Sequence, residues 1–74
     1  MTTQEIVKLL KESNHHILSK NYHDGCGRQY WLRDEDQKDV ATLDKKKFEK
    51  VAKAISLRTI PVISSDEAYL YEAE

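Results

Sequence analysis

Apolar residues recur first at helical spacing, then alternate with polar ones, return to helical spacing, and alternate again at the end of the chain. Ile6, Leu9 and Leu10, with Val7 beside them, make the first helical stripe. Thr2 and Glu5 precede it in the Ser/Thr-x-x-Glu relation of a capping box, in which each side chain satisfies the other residue's free backbone N–H. Asn14 is a suitable stop, because asparagine tolerates positive φ.

From His15 the period changes to that of strands. His15–Tyr22 carries Ile17, Leu18 and Tyr22, and Gln29–Arg33 carries Tyr30, Trp31 and Leu32. Asp24-Gly25, with Gly27 just after, offers the positive-φ positions of a tight hairpin. Asp34-Glu35-Asp36-Gln37 reads as a second turn and Asp39–Leu43 as a third strand, so the three form an antiparallel meander.

The second helix has the strongest local signals. Asp44 suits the N-cap, where its carboxylate accepts from free N–H groups and faces the positive end of the helix. Leu43 and Phe48 match a hydrophobic staple, and Phe48, Val51, Ala52 and Ile55 make a core-facing stripe. Pro61 pushes Ile60 toward extended backbone, so the helix ends before it. Ile60–Ser64 and Ala68–Glu72, separated by Ser65-Asp66-Glu67, read as a closing pair of strands, with Pro61 at a sheet edge or at a strand's first residue.

The expected fold is therefore α+β, in the order α-β-β-β-α-β-β, with two helices packed on one face of a small antiparallel sheet. A winged-helix arrangement would need a helical pair where the Gly- and aromatic-containing stretch 21–33 stands. Residues 1–74 leave room for one domain, whose core at this length rarely supplies more than ~3–5 kcal/mol. A homodimer or another partner would add to that. The one cysteine, Cys26, excludes an internal disulfide and fits a reducing, cytoplasmic compartment. The N-terminal residues lack the pattern of a secretory signal, and no apolar run approaches the ~20 residues of a membrane span, so no membrane role is expected.

Charge is nearly balanced overall, at −1, but it is segregated along the chain. Residues 45–58 hold five lysines and Arg58 against Glu49 alone, and residues 34–44 hold five carboxylates and one lysine. Residues 59–74 hold Asp66, Glu67, Glu72 and Glu74 with no basic residue, a weak candidate for an acidic binding surface against the plainer reading of a solvated terminus. At 100° per residue, Lys46, Lys50 and Lys53 gather opposite Phe48, Val51 and Ile55, as a cationic ridge able to meet phosphates or an acidic protein surface. The bland alternative is a solvated helix face. The acidic segments would cancel the ridge if they flank it, and would make the molecule a dipole if they lie opposite.

Aromatic residues interleave with basic ones on the first two strands: Tyr22, Tyr30 and Trp31 near Lys20, Arg28 and Arg33. Alternation sends Tyr30 and Leu32 to one face and Trp31 and Arg33 to the other; the preferred orientation puts the first pair inward and the second outward, and the alternative is a Trp31 that is simply core. Tyr69 and Tyr71 also share a face and are candidates to extend an aromatic patch. Such a patch can stack bases or form a protein hot spot.

Catalytic and metal chemistry are poorly supplied. His23-Asp24-Gly25-Cys26 has the spacing with which a turn presents two zinc ligands, and His16 supplies a third if it lies across the hairpin, but a closed site lacks a clear fourth unless Asp24 or His15 serves. His23 and Cys26 as base and nucleophile would need an orienting group, an oxyanion site and a concavity that a hairpin tip lacks. Neither a phosphate-cradling Gly-rich loop nor a helical His-Glu-x-x-His is present. No catalytic residue, metal or cofactor is expected. The expected function is that of a non-enzymatic protein-binding module, a small regulator or inhibitor, contacting its partner through Lys46, Lys50, Lys53, Arg58, Trp31, Arg33 and Tyr22. The alternative is a nucleic-acid-binding domain that sets the same lysines and Arg58 on phosphates and stacks bases on Trp31 or Tyr22.

Overall fold

The structure is a computed structural model that describes residues 2–22, 27–62 and 68–74, with the backbone alone described for Tyr22. Helix α1 (Thr3–Glu12) is followed by strands β1 (His16–Tyr22), β2 (Gly27–Arg33) and β3 (Asp39–Leu43). Helix α2 (Lys45–Ala54) and strands β4 (Leu57–Val62) and β5 (Ala68–Ala73) complete the chain. All neighbouring strands are antiparallel, in the order β3-β2-β1-β5-β4. The meander builds outward from β1 to the β3 edge. The chain then crosses with α2, lays down β4 as the opposite edge, and returns with β5 beside β1. That crossing makes the first strand the centre of the sheet.

Local chemistry explains where the elements begin and end. The Thr2 hydroxyl accepts from the Glu5 N–H at 3.2 Å and the Glu5 carboxylate accepts from the Thr2 N–H at 3.2 Å, closing the capping box. Asn14 takes the left-handed turn after α1, with φ 54°. In the β2–β3 turn the Asp34 carboxylate accepts from the N–H groups of Asp36 and Lys38 at 2.9 and 3.0 Å, while Gln37 adopts φ 65°. Asp44 caps α2 by accepting from the Lys47 N–H at 2.7 Å. The expected turns at Asp24-Gly25 and at Ser65-Asp66-Glu67 lie outside the described residues.

Both helices pack on one sheet face. Ile6 and Leu10 of α1, Val51 of α2 and Ile55 at its end close over Ile17, Tyr30, Leu32 and Leu43. Phe48 stacks on Tyr30 at 4.2 Å between ring centres and meets Tyr71 at 4.9 Å. Tyr30 and Leu32 point inward and Trp31 outward, as alternation from the buried pair requires.

Strand bounds differ slightly from the sequence reading, with β1 starting at His16 instead of His15, β2 at Gly27 instead of Gln29 and β5 ending at Ala73 instead of Glu72, and the second half of the chain differs further. The second helix stops at Ala54, because Ile55 turns extended (φ −140°, ψ 158°) while its N–H still donates to the Val51 carbonyl. Strand β4 consequently starts at Leu57, where Ile60–Ser64 was expected, and Leu57 packs against the core opposite Ala73. Residues 63 and 64 lie outside the described set. Ala52 is exposed rather than part of the stripe: the buried direction of α2 is centred between Val51 and Ile55 and turned toward half-buried Lys47, away from Ala52. Pro61 sits on the β4 edge strand, where its missing N–H costs no ladder bond. Among the described residues no helix is long and apolar enough to cross a membrane.

Candidate functional site

With both helices on one side, the other face of the sheet has no layer over it among the described residues. Register determines what that face carries. Leu18 pairs with Trp31 on β2 and with Leu70 on β5, and Leu70 pairs with Ile60 on β4. Four large apolar side chains therefore form one unbroken row across four strands, with Thr42 of β3 beside Trp31 at its end. Trp31, Leu70 and Ile60 are half-buried. Leu18 is only 5% exposed, yet it is not part of the core under the helices. Neither helix reaches it, and no second layer lies above it among the described residues.

A charged row runs alongside. Two residues further along the strands come Arg33 on β2, His16 opposite it on β1, Glu72 on β5 and Arg58 opposite Glu72 on β4. The Arg33 Nε donates to the Asp39 carboxylate of β3 at 2.8 Å, and the Arg58 Nη2 donates to the Glu72 carboxylate at 2.8 Å. A bulge brings Asp39 into place: the β2–β3 register slips by one after Leu32, so that Arg33 faces Asp39 and Val40 is left over. His16 is held below the usual imidazole pKa of 6.5, first by burial, with Arg33 and His15 acting in the same direction and Glu72 and Asp34 against it. A groove of about 340 Å³ runs across the face from the charged row (His16, Arg33, Glu72) over Leu18 and Leu70 to Lys20 and Val62 beyond them, with Gln37 of the β2–β3 turn also in its lining. Trp31 is not in its lining.

Six of the seven residues singled out from the sequence divide between two surfaces. Trp31, Arg33 and Arg58 lie on the open sheet face, and Arg58 does so because it belongs to β4 and not to the second helix. Lys46, Lys50 and Lys53 are exposed on α2, in the layer on the far side of the sheet, and make no ion pair among the described residues. The Tyr22 side chain lies outside the described set, as do His23 and Cys26. Asp39 and Glu72 compensate Arg33 and Arg58 and leave the lysine ridge untouched. Tyr69 and Tyr71 share a face, but it is the helix-side face, away from Trp31; there Arg28 sits 5.2 Å over the Tyr69 ring and donates to the Ser19 hydroxyl at 2.9 Å. Burial raises the Tyr71 pKa, with the Arg28 charge opposing.

Leu18, Ile60, Leu70 and Asp39 belong to the face and were not singled out from the sequence, and Glu72 was noted there only as part of the acidic C-terminal segment. Alternation in Ala68–Glu72 already separates Leu70 and Glu72 from the two tyrosines, and that was the available signal. Among the described residues no three His, Cys, Asp or Glu side chains gather as a metal site. Compared with protein-family models, with curated proteins and with solved structures, the chain matches none.

Proposed function

We propose that this chain is a non-enzymatic protein-binding module whose docking surface is the open face of the sheet. The observation that carries this reading is the row Trp31–Leu18–Leu70–Ile60 on a face that neither helix covers. A half-buried tryptophan and arginines beside a continuous apolar strip are the residue types that dominate protein hot spots. Paired charges at the margin suit a polar rim, since each arginine already has a carboxylate and need not be desolvated alone.

The nucleic-acid reading required the lysine ridge and the strand aromatics to act together. The ridge and Trp31 lie on opposite sides of the sheet, which favours the protein reading, because one strand of nucleic acid cannot lie on both at once. The lysine ridge by itself remains open to phosphates, and a salt titration against duplex and single strand tests it: affinity that falls steeply with salt would support it. The protein reading is tested by co-purification with tagged wild type, Trp31→Ala and Lys50→Glu. Partners lost with Trp31→Ala and kept with Lys50→Glu support the sheet face. The reverse pattern overturns it.

A further inference from the structure

The charges on the open face have a symmetry that identifies its partner. Strand β1 is the middle of five, so two strands lie on each side of it. Outward from His16 on one side the charged row reads Arg33 then Asp39, plus then minus; on the other it reads Glu72 then Arg58, minus then plus. Each position thus has the opposite sign at its mirror position across β1. We propose that the open face binds a second copy of this chain, through a two-fold axis parallel to β1, with the two sheets stacked face to face.

This inference rests on the docking reading of the same face and commits it to one occupant. A two-fold along β1 lays β2 of one copy over β5 of the other, and β3 over β4. Arg33 then meets Glu72 of the other copy, Asp39 meets its Arg58, and His16 meets its own counterpart on the axis. All four charged positions find an opposite charge, each twice by symmetry. A two-fold across the strands would set the charged row against the row containing Gln29, Lys20 and Ala68, and would pair none of these charges. The charge pattern therefore selects the axis.

Shape agrees with charge. The same operation places Trp31 over Leu70 of the other copy, beside the 340 Å³ groove that Trp31 does not itself line. Leu18 meets Leu18 on the axis. Aligned stacking of this kind separates sheets by about 10 Å, the distance over which such side chains interdigitate. His16 is suited to the axis because burial favours its neutral form. Lys20 is the discordant residue, since it too lies on β1 and approaches its own copy; its long stem lets the ammonium reach toward the rim. Five strands at ~4.8 Å give a face about 24 Å across, small against a standard interface, so the expected dimer is of micromolar strength.

The test is sedimentation equilibrium from a few micromolar to a few hundred micromolar, with Arg33→Glu and Glu72→Arg. Wild type should pass from monomer to dimer across this range. Each variant sets like charges together twice and should weaken the dimer about tenfold or more. An equimolar mixture of the two variants should dimerise again, because in the mixed dimer the introduced Glu at position 33 meets the introduced Arg at position 72, and the unaltered Arg33 and Glu72 meet at the symmetric position. Lys20→Met should tighten the wild-type dimer several-fold. Both ion pairs are solvent-accessible and contribute little to the fold, and circular dichroism checks that each variant remains folded. A wild type that stays monomeric throughout overturns the proposal, and so does a mixture that fails to dimerise. A dimer indifferent to both single substitutions overturns it as well. A monomeric wild type that still loses a different protein partner on Trp31→Ala leaves the docking reading standing without the second copy; loss of neither overturns both.

Discussion

Glu72 stands between Arg58 and His16: its carboxylate accepts from Arg58 at 2.8 Å on the β4 side, and its charge reaches the imidazole on the β1 side. One side chain thereby links the edge of the sheet to its centre. Arg58 is largely exposed, with 62% of its side chain accessible, so the pair has the screening of a surface ion pair. Arg58→Ala should lower stability by no more than about 1 kcal/mol in urea denaturation, even if it alters association.

The two sides of the sheet should respond differently to truncation. Leu32 and Val51 are fully buried between sheet and helices. Leu32→Ala should cost about 2–5 kcal/mol, a large share of the stability of so small a chain. Leu70→Ala on the open face, half-buried with no layer above it among the described residues, should cost clearly less at monomer concentrations. Urea midpoints measured at low protein concentration compare the two directly.

Asp44 carries the start of α2 by accepting from Lys47. Asp44→Ala should destabilise by about 1 kcal/mol, while Asp44→Asn or Asp44→Ser should recover most of it, read as thermal midpoints.

Gln37 holds φ 65° in the β2–β3 turn, a region that side chains with a Cβ enter at a cost. Gln37→Gly should therefore raise stability, by up to about 1 kcal/mol, with the turn otherwise kept by the Asp34 carboxylate. A lower urea midpoint in this variant would contradict the account.

His16 gives the stability a pH dependence with a definite sign. Its folded-state pKa lies below the usual 6.5 through burial, Arg33 and His15, against the opposing fields of Glu72 and Asp34. As pH falls through 6.5, the unfolded chain takes up a proton that the folded chain does not, so stability declines until the folded imidazole also protonates. Urea midpoints should fall between about pH 7.5 and pH 5.5, and His16→Gln should remove that part of the slope. Glu5 and Asp34, both lowered chiefly by backbone hydrogen bonds, act in the separate acid range below their usual 4.5 and 3.8; the stability they add is lost as pH falls through their folded-state values.

What was legible in the sequence is what neighbouring residues decide. Thr2 with Glu5, Asp44 before the lysines, and the Asp34–Gln37 turn act within four residues, and each stands where local chemistry puts it. The end of α2 was not legible, because no Gly or Asn marks it. Ile55, Ser56, Leu57 and Arg58 would continue a helix, and what stops them is pairing with β5, which begins eleven residues after Leu57. The charged row was hidden for the same reason. Arg33 was visible, but its meeting with Asp39 depends on the bulge at Val40, and that of Arg58 with Glu72 on a distant register. Alternation separated Trp31 from Tyr30 and Leu32 and made outward its preferred orientation over a place in the core; only strand order revealed what lies beside it.

Pro61 and the bulged Val40 stand on the two outer strands, and each interrupts the row of backbone groups that an added strand would need. Growth by sideways strand addition is thereby discouraged at both ends of the sheet. Crowding this protein should accordingly yield a discrete, closed particle and not fibrils, even though its sheet presents a broad apolar strip to its surroundings.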